Sequence, residues 1–526
     1  MKTRSRRLGP VRTPAVSAAT PRRAPKVRGG VADVLPILVA IGFVVWVVAL
    51  NYRPITSNDF WIHLRIGEDI LTRGHIPHVD DYSAVAQGRP FVAHGWLGAV
   101  VLALVEKTCG PLGFTLLREA TALGLLGLLL AALPPERRRS PVVVPALALC
   151  TYLICWRIEV RPDLFTLLLL AALTFAVETW RRTRRLRALA WLVPLQVLWA
   201  NLHGAYLFGV VLLWGLTGVC AVLVLAPRLQ ATERDYTWTD VRDLAVVALG
   251  ASLAILVNPY GPALVTYSTR MSEGNEFIKR FMTEWQPPFA AASYFRGNAG
   301  YLLGAYAVLL ALLGGGLLLL LLLRRRPVVD LFVCAVVAYL SLRANRFIPY
   351  VAIMGFPILV RSWVELAGAV PSVGSRGRRA LELAGVVVLV AGTLRHGYVF
   401  GPARSGALGA GYAGRRPVEE VAAIRARRLQ GALYNEQMTE GSYIVHELYP
   451  TVRPVMDARV DVYGEPLYLE YEASHTSRVA FAAYMRRYDI RLALLSQGGW
   501  MGQTLRLDPG WEVVSESAER LLFRRR

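Results

Sequence analysis

The sequence predicts an all-α polytopic membrane domain of about eleven transmembrane helices, followed by a small extracytoplasmic α/β domain. Three observations predict it. First, 54% of the 526 residues are hydrophobic before its 45 glycines are counted, and the mean hydropathy is +0.40. Soluble domains sit near 45–50% apolar with glycine included. Second, segments such as Leu35–Leu50, Leu164–Val177, Tyr206–Leu225 and Leu302–Leu323 are apolar on every face. Many approach the roughly 20 residues that cross a hydrocarbon core about 30 Å thick. Third, the composition changes near His396: residues 404–526 hold 17 Lys/Arg and 15 Asp/Glu, with a glycine-rich linker at Gly406–Gly414.

Taken in order, residues 1–32 form a basic tail with nine Lys/Arg and no acid. No small-residue cleavage site follows the first apolar run, so that run reads as an uncleaved anchor. Spans are expected near 34–51, 112–133, 141–157, 163–179, 188–202, 205–226, 243–257, 300–323, 328–343, 347–364 and 380–396, within a membrane domain of residues 33–398. With the tail in the cytoplasm, the inner turns hold Arg137–Arg139, Arg181–Arg187, Arg228/Arg234/Arg242, Arg324–Arg326 and Arg376–Arg379. Every inner turn then carries the basic excess that cytoplasmic loops prefer. The register requires the apolar stretch Phe91–Val105 to lie along the membrane, inside a long first outer loop of residues 52–111. Residues 399–526 read as an outer α/β domain, short apolar runs alternating with a helical Val479–Arg487 stretch.

The net charge of +22 belongs to these turns and to the tail, so it argues for membrane lipids and against nucleic acid. Five cysteines, odd in number and mostly inside spans, give no disulfide framework or metal signature. No nucleotide-binding glycine motif, zinc motif or serine elbow is present.

The same register puts all eight histidines outside, with the polar span ends Arg157–Asp163, Asn201–Gly204, Asn258–Gly261 and Arg343–Arg346. Ionisable groups near hydrocarbon are costly and usually mark a site. Ser57 or Asn58 suits the cap of a helix starting at Asp59. On that helix Asp59 and His63 share a face. A carboxylate there can deprotonate a hydroxyl at the membrane surface, although the same spacing suits a capping acid. Asp80 and Asp81 offer oxygens to a divalent cation, Mg or Mn, although Asp-Asp-Tyr-Ser also reads as a plain turn.

The run Asp59-Phe-Trp-Ile-His63, Gly67, Ile70-Leu71 and Gly74-x-Ile-Pro77 resembles the first outer loop of the GT-C glycosyltransferase superfamily. His94-x-Trp96, Arg161-Pro162, Asn201-Leu-His203-Gly204, Glu284-Trp285, Arg346-Phe347 and Asp457-x-Arg459-x-Asp461-x-Tyr463 resemble an uncharacterised bacterial membrane-protein family within it. The resemblance spans about residues 55 to 526. It implies a GT-C-like fold and transfer of a sugar from a polyprenyl-phosphate carrier to a glycan, lipid or protein acceptor outside the cytoplasmic membrane. Asp59 would then be the base, with His63 beside it. A phosphate leaving as an anion needs cations, and the planar forks of Arg161 and Arg346 suit it. Arg161 could equally pair with Glu159 or Asp163. His94, Trp96, Asn201, His203 and Glu284 are the expected acceptor or sugar contacts, although Trp96 also suits an aromatic belt. Two departures stand out: Phe60 replaces the second acid of mannosyltransferases, and Met438-Thr-Glu-Gly441 stands where Trp-Gly-Gly is expected. The rival reading is a transporter or lipid-binding scaffold, but no internal repeat is visible.

Overall fold

The computed structural model describes residues 31–230, 235–272, 282–290, 300–369, 410–414 and 416–526. The chain falls into two compact units, Met1–Trp46 and Val47–Arg526. The described part of the first is the opening of helix α1 (Val31–Asn51).

The helices that follow are α2 (Asp59–Arg73), α3 (Trp96–Ala132), α4 (Val143–Cys155), α5 (Asp163–Thr183), α6 (Leu192–Leu202) and α7 (Leu207–Leu225). Then come α8 (Trp238–Ala254), α9 (Pro262–Ser272), α10 (Gly300–Leu322), α11 (Val328–Arg343) and α12 (Ile348–Ala369). Every span expected up to residue 364 coincides with a helix; the one at 380–396 lies outside the described residues. Five helical stretches among the described residues are long and apolar enough to cross a membrane: Trp96–Ala132, Asp163–Thr183, Gly204–Leu225, Leu302–Leu322 and Asn345–Ala367. The chain is a multi-pass membrane protein. The apolar windows of α5 and α12 are each 78% buried, against 33% for α10. The first two therefore form the centre of the bundle, while α10 keeps the all-round apolar surface suited to lipid.

Helix α3 is broken at Gly110, whose φ of 57° precedes Pro111. Its first leg carries the stretch expected to lie along the membrane. That leg packs closely on α2, because Gly67 has no side chain: a Cβ there would collide with the Ala99 carbonyl. Helix α2 begins at Asp59, but Asn58 makes no side-chain cap, and it ends at Gly74 in the left-handed conformation, φ 71°. Its buried residues, Phe60, Trp61 and Leu64, share one core with Ile444, Leu448 and Leu494 of the C-terminal fold.

That fold comprises α13 (Val418–Ala426), β1 (Gly431–Asn435), α14 (Met438–Leu448), β2 (Val452–Pro454), α15 (Val460–Ser474), α16 (Arg478–Arg487), β3 (Leu492–Ser496), α17 (Trp500–Leu507), β4 (Trp511–Glu516) and β5 (Arg520–Arg525). The sheet order is β2-β1-β3-β5-β4. β1 runs parallel to β2 and β3, and β5 antiparallel to β3 and β4. Asn435 clips the ends of β1 and β2 together by donating to the Met456 carbonyl, 2.8 Å. Gly441 is needed here, since a Cβ would collide with that same carbonyl. Ligands of parallel sheets gather at the carboxyl ends of the strands, and the segment after β2 runs into the site described next.

Candidate active site

Residues Asp59, His63, His94, Arg161, His203, Glu284 and Arg346 all line one cavity of about 150 Å³, together with Arg157, Asp163, Tyr267, Arg459 and Asp461. Most of them arrive from element ends, while His63 and Tyr267 stand inside helices. Asp59 is the first residue of α2. Arg157 and Arg161 sit on the turn between α4 and α5, and Asp163 opens α5. His203 ends α6, Glu284 lies on a short 3₁₀ turn, and Arg346 on the turn before α12. Such ends leave helix backbone groups unpaired, so polar side chains gather there.

The arginines and acids interlock. Arg161 donates to Asp59 at 2.9 Å and to Glu284 at 3.2 Å. Arg157 donates to Glu284 at 2.6 Å and pairs with Asp163 at 3.0 Å. Arg346 donates to Glu284 at 3.2 Å and lies over the Trp285 ring at 4.5 Å. Glu284 is thus a hub that spaces three guanidinium groups. Burial alone would raise its pKa, but Arg157, Arg346 and Arg161 hold it well below the usual range. The Nε atoms of Arg157 and Arg161 are buried without a partner. Such orphaned donors are rare.

The Asp59 side chain is 38% exposed, open to the cavity. Enclosure by protein raises its pKa most, and Arg161 draws it back only in part. A carboxylate whose pKa is lifted is a better proton acceptor. His63, one turn on, is pushed to about 3 by burial and then by the charges of His94, His203 and Arg161. His203 is also lowered to about 3, mainly by burial. It accepts at Nδ1 from the Ala205 amide, 3.3 Å, and faces the Thr166 hydroxyl at 2.9 Å. His94 is lowered by burial too. The cavity therefore presents neutral imidazoles beside paired arginines.

Other expected site residues stand elsewhere. Trp96 lines a narrow side lobe that shares His63, His94, Arg459 and Asp461 with the cavity. Its indole donates to Asn201 Oδ1 at 2.8 Å, while Asn201 donates to the Val197 and Val257 carbonyls. These two residues tie α3 and α6 to the turn that follows α8. Asp80 is fully buried and bonds Arg459 at 2.6 Å. Asp81 pairs with Arg453 at 3.3 Å. Among the described residues no group of three His, Cys, Asp or Glu side chains is arranged to hold a metal ion. Asp80 and Asp81 spend carboxylate oxygens on these arginines and so dock the loop of residues 52–95 on the C-terminal fold.

The sequence reading did not assign Arg157, Tyr267 or Asp461 to a site. Arg157 belonged to a polar run already noticed, and Asp461 to the Asp-x-Arg-x-Asp pattern. Tyr267 sits in a helix without any such signal.

No family model and no curated protein matches this sequence. Solved structures do match. Archaeal oligosaccharyltransferase AglB from Archaeoglobus fulgidus, in complex with an inhibitory peptide and a dolichol-phosphate, is 12% identical with a TM-score of 0.58. The match covers 88% of this chain and 70% of that one. This chain has the GT-C fold. A complex of the same oligosaccharyltransferase with Zn and sulfate is also similar, at 12% identity, TM-score 0.51, and coverage of 88% and 67%. ArnT from Cupriavidus metallidurans bound to undecaprenyl phosphate is 14% identical with a TM-score of 0.48, covering 94% and 98%. At these identities the likeness speaks for the fold, and function has to come from the site.

Proposed function

We propose that the protein transfers a sugar from a polyprenyl-phosphate donor to an acceptor on the extracytoplasmic side of the cytoplasmic membrane, with Asp59 as general base. The observation that carries this reading is the Asp59–Arg161 pair, 2.9 Å apart, where the same guanidinium keeps an unpartnered Nε beside a cavity. A base and a phosphate-binding fork are thus held side by side on a fold shared with an oligosaccharyltransferase seen in complex with a dolichol-phosphate.

In this mechanism the acceptor hydroxyl oxygen bonds to the anomeric carbon and its proton passes to Asp59. The bond from that carbon to the phosphate oxygen breaks, and the phosphate leaves with the electron pair. Arg161 and Arg346 take up its charge, which preorganised cations do at little reorganisation cost. Glu284 keeps the guanidinium groups spaced when no phosphate is bound.

Lipid-linked and surface glycans compared in cells with and without the protein test the reading. Loss of the protein is expected to leave a sugar-loaded polyprenyl phosphate unspent and one surface glycan missing. Reporter fusions at Arg139, Arg326 and the C-terminus test the sidedness, with the last expected outside.

A further inference from the structure

The C-terminal fold reaches the cavity through the segment after β2, and the reach is fixed by Arg459. Its guanidinium grips Asp457 at 2.6 Å and Asp80 at 2.6 Å. It also lies 5.0 Å from the ring centres of Tyr82 and Phe91 in the first outer loop. Two residues further on, Asp461 faces the cavity. Asp59, Asp163 and Glu284 each face an arginine. Asp461 does not: among the described residues its one side-chain hydrogen-bond partner is the Tyr267 hydroxyl, at 2.9 Å. The Tyr267 ring in turn stacks on His94, centres 5.2 Å apart and planes 23° off parallel.

We propose that Asp461, with Tyr267 and His94, binds two neighbouring hydroxyls of the sugar while it is still joined to the carrier phosphate. The inference rests on the sugar-transfer reading above. A carboxylate with one oxygen uncommitted accepts O–H donors well. The phenol, which spends its proton on Asp461, keeps lone pairs for another. Burial keeps the neighbouring imidazoles neutral, with the arginine charges adding to it, and those charges disfavour an ammonium in place of a hydroxyl. Arg346 lines the same cavity as Asp461, Tyr267 and His94, so the array adjoins a phosphate-binding candidate. The C-terminal fold is then part of the binding site and reads the donor.

The test measures binding to the full chain in lipid nanodiscs. The probes are undecaprenyl phosphate, bare or carrying glucose, mannose or galactose. The wild-type protein should bind at least one loaded carrier more tightly than the bare one. Asp461→Asn and Tyr267→Phe should each cut that gain about tenfold while leaving the bare carrier's affinity and the melting temperature unchanged. An unchanged gain in both variants, equal weakening of bare and loaded carriers, or no gain in the wild type overturns the inference. Failure of the bare carrier to bind sinks the sugar-transfer reading itself, and the inference with it.

Discussion

Helix α5 begins in one ionic cluster and ends in another, and the two are built differently. At its far end Glu178 and Arg181 join Asp330 of α11 and Arg361 of α12. Arg361 bonds Glu178 at 2.7 Å and Asp330 at 2.7 Å, and Arg181 bonds Asp330 at 2.7 Å. Neither arginine has an unpartnered buried nitrogen. At its near end Asp163 joins Arg157 and Arg161, where the cavity stays open and two guanidinium Nε atoms have no partner. A closed cluster holds helices together. An open cluster of the same residue types keeps spare hydrogen-bonding capacity for a ligand.

The comparison is broken most severely at the closed end. Arg361→Met leaves two buried carboxylates with a single cation, and removing one partner of a buried pair costs about 3–5 kcal/mol. Membrane abundance and melting temperature should fall steeply, as size-exclusion of the detergent-solubilised protein will show. Wild-type stability in this variant would remove the contrast.

At the open end the conservative change should act on function. Arg346→Lys keeps the charge but loses the planar fork. Carrier-dependent transfer should drop by about tenfold or more, with abundance little changed. Full activity in Arg346→Ala would take the phosphate role away from this residue.

A smaller effect tests how α2 is held. His446 of α14 lies between Glu447 at 3.2 Å and Glu68 of α2 at 3.4 Å. Burial opposes its charge, but the hydrogen bonds that it donates to the two carboxylates lift its pKa from 6.5 to about 9. A raised folded pKa gives stability that is complete below pH 6.5 and is lost as pH rises through about 9. The melting temperature should therefore fall by a few degrees across that window, and His446→Gln should flatten the decline.

Much of this was legible in the sequence because bilayers impose simple rules. Apolar length located the spans through residue 364 but not α9, and polar residues near element ends, from Asp59 to Arg346, converge on one cavity. What the sequence did not give is partner choice. Asp80 and Asp81 offer the same oxygens to a metal or to an arginine, and only the fold brings Arg459 and Arg453 to them. Trp96 and Asn201 carry polar groups suited to a sugar, yet they spend them on each other. Tyr267 lies six residues beyond the Asn258–Gly261 span end, on a helix with no pattern of its own to mark it. Span lengths were also overestimated: α6 has 11 residues and starts only after a break at Trp191, and α4 has 13, two fewer at each end than expected.

The measurement that bears most directly on the account is the glycan output of cells relying on Asp59→Asn. The variant keeps the shape and can still face Arg161 but cannot take a proton. Losing a positioned base costs about 10²–10⁴ in rate. In the wild type, transfer should weaken as pH falls through the raised pKa of Asp59, because only the carboxylate accepts the proton. With Asp59→Asn at normal membrane abundance, the account predicts an accumulated sugar-loaded carrier and a missing surface glycan. A wild-type glycan made at the wild-type rate would contradict it, leaving a GT-C fold put to a use other than sugar transfer by this base.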